Sequence, residues 1–147
     1  MLKIITINDE QSFILRKKTN AVKVFDDKIR ELAENMLIIM KSNEGIGLAA
    51  PQIGFDKSIF VIQLPKQKPI IFINPKLIET STELFDMEER CLSVPNVSFL
   101  VTRPKSVKIQ AKNLNGENFI INANGLMGRV IQHEYDHLIG KLYIDKI

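Results

Sequence analysis

Residues 106–124 constrain the fold more than any other stretch of the chain. SVKIQAKN (106–113) alternates apolar and polar residues, Asn115-Gly116 supplies a turn, and ENFIINA (117–123) leads back. That pattern is a β-hairpin. From Gly125 the period changes, and Leu126, Val130, His133 and His137 fall on one helical face with Asn124 as the cap. A helix that follows a hairpin without a linker is well placed to lie buried against those strands. Upstream, DKIRELAENMLIIM (27–40) repeats apolar residues at helical spacing, with Ile29, Leu32, Met36 and Met40 on one stripe and Asp26 or Asp27 as the cap. SIFVIQL (58–64) and IIFINPKLI (70–78) predict strands separated by PKQKP. Helix first, strands in the middle and helix last predicts an α+β fold, with antiparallel strands packed around the C-terminal helix, rather than an alternating parallel sheet. There is no internal repeat, low-complexity segment or linker, so residues 1–147 are expected to form one domain.

Composition narrows the function classes. The longest apolar run, MLIIM at 36–40, is too short to cross a bilayer, so no membrane role is expected. MLKIITINDE lacks the apolar core and cleavage site of a secretory signal. A cytoplasmic protein is expected, with an organelle product trimmed of its transit peptide as the alternative. The net charge is +3, and RKK at 16–18 and KQK at 66–68 are short clusters rather than a broad basic stripe, so no nucleic-acid binding is expected. A single cysteine, Cys91, excludes an internal disulfide framework.

The chain has two histidines, and both stand in QHEYDH (132–137). At i and i+4 on a helix, two side chains lie one above the other, so two imidazoles can share one metal ion. A glutamate beside the first can reach water at that metal, which is the chemistry behind the H-E-x-x-H pattern that HEYDH fits. The alternative is a surface helix that matches by chance. A catalytic metal usually takes three protein ligands. With no third histidine, the third is Cys91, Asp136 or another carboxylate, and spacing does not choose among them. Asp136 points off the histidine face, so a role orienting an imidazole suits it better than ligation.

Three separated segments resemble the signature motifs of peptide deformylases. GIGLAAPQIG (45–54) resembles the first, ERCLS (89–93) the second, and QHEYDHLIG (132–140) matches the third at each fixed position. LRKKTNAV (15–22) is similar to the family's N-terminal segment without its usual prolines. There are two departures: Arg90 replaces the glycine of the second motif, and the chain stops at Ile147, soon after LYIDK, where many members continue into a longer helix.

The resemblance implies that Cys91, His133 and His137 hold a metal. A sulfur and two nitrogens suit zinc, iron(II), nickel or cobalt. The family implies iron(II) physiologically, with the others able to substitute and with oxidative loss of activity expected. It implies Glu134 as the general base that takes a proton from water and returns it to the departing amine. Gln52 and the backbone N–H of Leu92 are the implied oxyanion donors. The implied substrate is the N-formyl-methionine end of a nascent polypeptide, with transient ribosome contact as a further expectation. Gly47 is expected to let the substrate backbone approach, and Ile46 and Leu48 to pair the peptide as an added strand and line its path. Leu126 and Val130 are expected to line the methionine pocket, with the stem of Arg129 beside it and its head in solvent. Glu89 is expected to pair with Arg103 beneath Cys91 and, like Arg90, to border the substrate groove. Other readings are a deformylase-like paralogue with altered substrate or low activity, motivated by Arg90; an H-E-x-x-H metalloprotease, disfavoured by the cysteine motif; and a metal-stabilised binding protein, which needs neither Glu134 nor Gln52.

Overall fold

The structure is a computed structural model that describes residues 2–147. Its first long element is α1 (Asp27–Ser42), whose Asp26 cap accepts a hydrogen bond from the N–H of Ile29. Two short strands, β1 (Gly47–Ala49) and β2 (Ile59–Ile62), and the long β3 (Ile70–Thr80) follow. Next come β4 (Leu84–Cys91) and β5 (Val94–Pro104), then β6 (Ser106–Lys112), β7 (Asn118–Asn124) and α2 (Gly125–Leu138). Short 3-10 segments stand at Glu10–Arg16, Ala50–Ile53 and Tyr143–Lys146.

The strands form two sheets. Five are antiparallel in the order β1-β2-β3-β6-β7, and β4 and β5 form a separate two-stranded ribbon. The five-stranded sheet is covered on both sides in its β1–β3 half. Phe60 and Ile62 of β2 join Phe72, Ile109 and the α2 residues Val130 and Ile131 in one core. Ile59 and Val61 of the same strand join Leu32, Met36 and Met40 of α1 in the other. All four β2 residues are buried, which explains why its sequence is a continuous apolar run rather than an alternation. On β6 the alternation holds: Val107, Ile109 and Ala111 are buried while Lys108, Gln110 and Lys112 are not.

The hairpin turn is wider than a two-residue turn. Asn113 Oδ1 accepts from the N–H groups of Asn115 and Glu117, and Gly116 at φ 79° makes the reversal. Asn124 precedes α2 in extended backbone, but its side chain makes no capping hydrogen bond.

The β4–β5 ribbon was not predicted by periodicity. Its inward face carries Phe85, Met87, Glu89, Val101 and Arg103, and its outward face exposes Leu84 and Leu100. Charged residues inside and leucines outside erase the alternation that marks a half-buried strand. The ribbon makes no ladder with the five-stranded sheet. It is held instead by a small cluster of Cys91, Val94, Val101, Leu142 and Tyr143, and by polar bonds to α2. Tyr143 adds an anchor by donating its hydroxyl to Val97 O at 2.8 Å.

Candidate metal centre

The site forms where the end of the ribbon meets the middle of α2. Strand β4 ends at Cys91, and α2 presents His133 and His137 one turn apart. One ligand-type atom from each of the three lies within 4.8 Å of the others. Cys91 Sγ and His137 Nε2 are 3.3 Å apart. Tetrahedral coordination at ordinary zinc–sulfur and zinc–nitrogen distances puts such a pair about 3.5 Å apart, so the three side chains fit one metal ion. His133 Nδ1 meets Glu89 Oε1 at 2.8 Å, which leaves Nε2 for a metal.

Charge around the ligands favours a cation. Burial pushes the His133 imidazole toward its neutral form, but hydrogen bonds with Cys91 and Glu89 and the nearby Glu134 outweigh that and raise its pKa to about 10. A positive charge is therefore favoured here, and a metal cation would take the place of the proton on the ring. Burial, aided by repulsion from His133 and Arg103, holds His137 well below the usual histidine value, so it stays neutral as a ligand must. Glu89 is buried, which works against its charged form. Hydrogen bonds from His133, Arg103 and Arg129 overcome that and hold it far below the usual carboxylate range.

Glu134 follows His133 on α2 and is 4% exposed. Burial lifts its carboxyl to about 7, against the opposing pull of His133 and Arg103. Its Oε1 is buried without a hydrogen-bond partner, and the residue lines a groove of about 770 Å³ that also exposes Cys91, His133 and Gln52. A carboxyl that titrates near neutrality with one free oxygen is suited to take up and return a proton. Gly47 makes room for it: a Cβ there would stand 2.6 Å from Glu134 Oε2 and 2.9 Å from Val130 Cγ1. The clearance at Gly47 is therefore for the protein's own carboxylate.

Gln52 sits on the 3-10 turn after β1 and is 2% exposed. Its Oε1 accepts from Ala49 N–H at 2.9 Å, which fixes the amide so that Nε2 faces Cys91 Sγ at 3.5 Å and Ser93 Oγ at 3.2 Å. Ile46, Gly47, Glu89, Arg90, Leu92, Leu126 and Val130 also line the groove. Leu48 does not. Strand alternation turns its side chain away into the α1 core, where it is fully buried, so only its backbone can meet a peptide.

Two further expectations are corrected. Arg129 is 2% exposed, so its head does not reach solvent. Its guanidinium lies over the Phe85 ring, and its Nη atoms donate to Glu89, Val101 O and Phe85 O, while Nε is buried without a partner. Asp136 bonds Arg103 Nη1 at 2.8 Å, so the imidazole partner is Glu89 instead. Both oxygens of Glu89 are taken by Arg103, Arg129 and His133, so it holds the site together and has little left for substrate. The Glu89–Arg103 pair itself is present, at 2.6 Å. Arg90 is in ordinary backbone, since the non-glycine residues with positive φ among those described are Glu44, Lys66, Asn74 and Asn96. Its side chain is 80% exposed and 3.6 Å from Glu88.

The family model for polypeptide deformylases matches residues 1–147. The chain belongs to the polypeptide deformylase family. A peptide deformylase of Prochlorococcus marinus is 46% identical over 150 residues, covering 99% of this chain and 73% of that protein. Peptide deformylase 1 of Clostridium perfringens is 43% identical, covering 98% of this chain and 97% of its own length. Among solved structures, a Synechococcus elongatus peptide deformylase in complex with actinonin superposes with a TM-score of 0.94 at 40% identity, covering 99% of this chain and 78% of that one. A Thermotoga maritima peptide deformylase gives 0.94 at 37% identity, covering 100% and 97%. Deformylases are metal-dependent enzymes that remove N-formyl groups from nascent peptides, and the Cys91–His133–His137 group is placed where this chain can hold a metal. Among the described residues no helix is long and apolar enough to cross a membrane.

Proposed function

We propose that this chain, working as one catalytic unit over residues 1–147, hydrolyses the formyl group from N-formyl-methionyl nascent peptides and releases formate. The observation that carries the reading is the convergence of Cys91, His133 and His137 beside a buried Glu134 with an unpartnered oxygen. Cys91, His133 and His137 would hold the metal, with iron(II) as the physiological ion and zinc, nickel or cobalt able to substitute. When bound, such a cation polarises the formyl carbonyl and acidifies a water molecule.

The protein residues do the rest. Glu134 accepts the proton of the attacking water as oxygen bonds to the formyl carbon. It then delivers that proton to the amine nitrogen as the carbon–nitrogen bond breaks, so water and formamide become formate and a free amino terminus. Gln52 Nε2 and the Leu92 N–H donate to the oxyanion, and the Ala49 bond to Gln52 keeps that donor aimed. Strand β1 is a sheet edge, so Ile46, Gly47 and the Leu48 backbone can pair with an extended peptide. Leu126 and Val130 receive the methionine side chain. A substrate taken as it leaves the ribosome implies transient ribosome contact and a cytoplasmic, bacterial-type setting.

The test is formate release from formyl-Met-Ala-Ser under anaerobic conditions by protein loaded with iron(II) or nickel, with metal analysis of the same sample. One metal per chain and formate matching the newly freed amine are expected. A fully metallated protein that releases no formate overturns the proposal.

A further inference from the structure

Two separately built parts supply the metal ligands: the ribbon carries Cys91, and α2 carries both histidines. The ribbon has no backbone ladder to the main sheet, so something else must set its distance from the helix. Strand alternation puts Glu89 on the same face as Cys91, two residues earlier. Helical spacing puts Arg129 on the same face as His133, one turn earlier. Arg129 and Glu89 therefore form a rung beside the His133–Cys91 rung, closed at 2.8 Å.

Arg129 grips more than that carboxylate. Its Nη1 also donates to Val101 O of β5 at 2.9 Å, and its Nη2 donates to Phe85 O of β4 at 2.8 Å. The cationic carbon stands 4.8 Å above the Phe85 ring centre. One planar fork from the helix thus holds both strands of the ribbon. A lysine has the charge but not the geometry for three such partners.

The charge count explains why the residue can be removed without leaving a bare ion. Glu89 and Asp136 face Arg103 and Arg129 in the buried cluster, with Lys146 3.8 Å from Asp136. Without Arg129, Arg103 and Lys146 still match the two carboxylates, and Glu89 still accepts from Arg103 twice and meets His133. The lost contacts are the two ribbon carbonyls, the face of the Phe85 ring and one of several bonds to Glu89. What they control is position, not charge neutrality.

We infer that Arg129 is a positioning residue that sets the separation of Cys91 from His133 and His137, and so tunes metal affinity and the geometry of the thiolate ligand. The inference rests on the metal centre proposed above. It concerns the ribbon-to-helix clamp rather than the ligands or Glu134.

The test uses cobalt(II) as the probe, titrated anaerobically into the full chain from which metal has been removed. The native protein, Arg129→Met and Arg129→Lys are compared, each at a temperature where circular dichroism shows it fully folded. Affinity comes from chelator competition, and the sulfur-to-cobalt charge-transfer and d–d bands report the ligand geometry. Arg129→Met is expected to bind cobalt about 10–100-fold more weakly, the range for loss of a group that orients a ligand, with shifted or weakened bands. Arg129→Lys is expected to fall between it and the native protein. A purely structural role lowers melting temperature but leaves affinity and spectrum of the folded protein unchanged. Native affinity, within about twofold, together with native bands in Arg129→Met therefore overturns the inference. If Arg129→Met does not fold, Arg129→Lys decides in the same way: native values overturn the inference, and weaker binding with shifted bands supports it. A native protein that binds cobalt with no sulfur charge-transfer band overturns the Cys91 ligand assignment itself, and the inference with it.

Discussion

The five-stranded sheet and the β4–β5 ribbon are stabilised in different ways. The sheet is clamped between α1 and α2 by side chains such as Phe60, Phe72, Met36 and Ile131, each essentially removed from water. The ribbon rests on a small apolar cluster and on an ionic network of Glu89, Arg103, Arg129, Asp136 and His133. Burial of apolar area is non-directional, so it gives stability without fixing atoms to a fraction of an ångström. Charged hydrogen bonds are directional, and a buried ion pair is weak evidence of stability. Cys91 comes from the ribbon and both histidines from α2, which packs on the sheet, so the sheet supplies a rigid base for the helix and the network sets the reach of Cys91 toward it.

The largest effect expected from that contrast is on stability. Phe72 is fully buried and stacked on Phe60 with ring centres 4.5 Å apart. Phe72→Ala is expected to cost about 3–5 kcal/mol in denaturant unfolding. Leu100→Ala, on the outward face of the ribbon at 69% exposure, is expected to stay within about 0.5 kcal/mol of the native protein. Equal losses in the two variants would erase the distinction between the regions.

Next comes the chemistry on the helix side. Glu134→Gln keeps shape but removes the proton acceptor, so formate release is expected to fall by about two or more orders of magnitude while one metal stays bound. Near-native turnover by a fully metallated variant would show that another group moves the proton.

On the ribbon side, Cys91→Ser exchanges a soft thiolate for a hydroxyl that stays protonated. Iron and nickel affinity is expected to drop by more than about 100-fold, beyond the loss of an outer partner. Cys91→Asp should retain more metal than the serine variant, with impaired turnover. If the serine variant still holds one tight metal per chain, the ribbon does not ligate it.

The smallest effect concerns Arg90 at the groove rim. Its pairing with Glu88 at 3.6 Å, both side chains being largely exposed, leaves a weak and salt-screened charge. Native protein is expected to prefer formyl-Met-Ala-Asp over formyl-Met-Ala-Lys a few-fold more than Arg90→Gly does in kcat/KM at low salt, since one exposed charge pair amounts to about 0–1 kcal/mol. The preference should shrink as salt is added. An identical Asp/Lys ratio in the two proteins at low salt would show that Arg90 does not read substrate charge.

How much was legible follows from which forces leave a local trace. Both α-helices, β2, β3 and the β6–β7 hairpin lie where apolar periodicity places them, because their burial is one-sided or complete along a short stretch. The pair His133 and His137, with Glu134 between, shows in one helical turn. The ribbon left no such trace, because its inward Glu89 and Arg103 are satisfied by each other and by α2, partners far along the chain. Tyr143 gave no signal either, as its anchor to Val97 depends on where the chain end folds back.

The sequence alone determined the α+β class, the i, i+4 histidine pair and, through three motifs, the family resemblance, since each is written in neighbouring residues. Only the tertiary structure decided that Arg129 is buried rather than snorkelling, that Glu89 rather than Asp136 orients His133, and that Gly47 makes way for Glu134. Each depends on which charged group finds which partner at hydrogen-bond distance, and that is fixed by packing of remote segments rather than by local spacing.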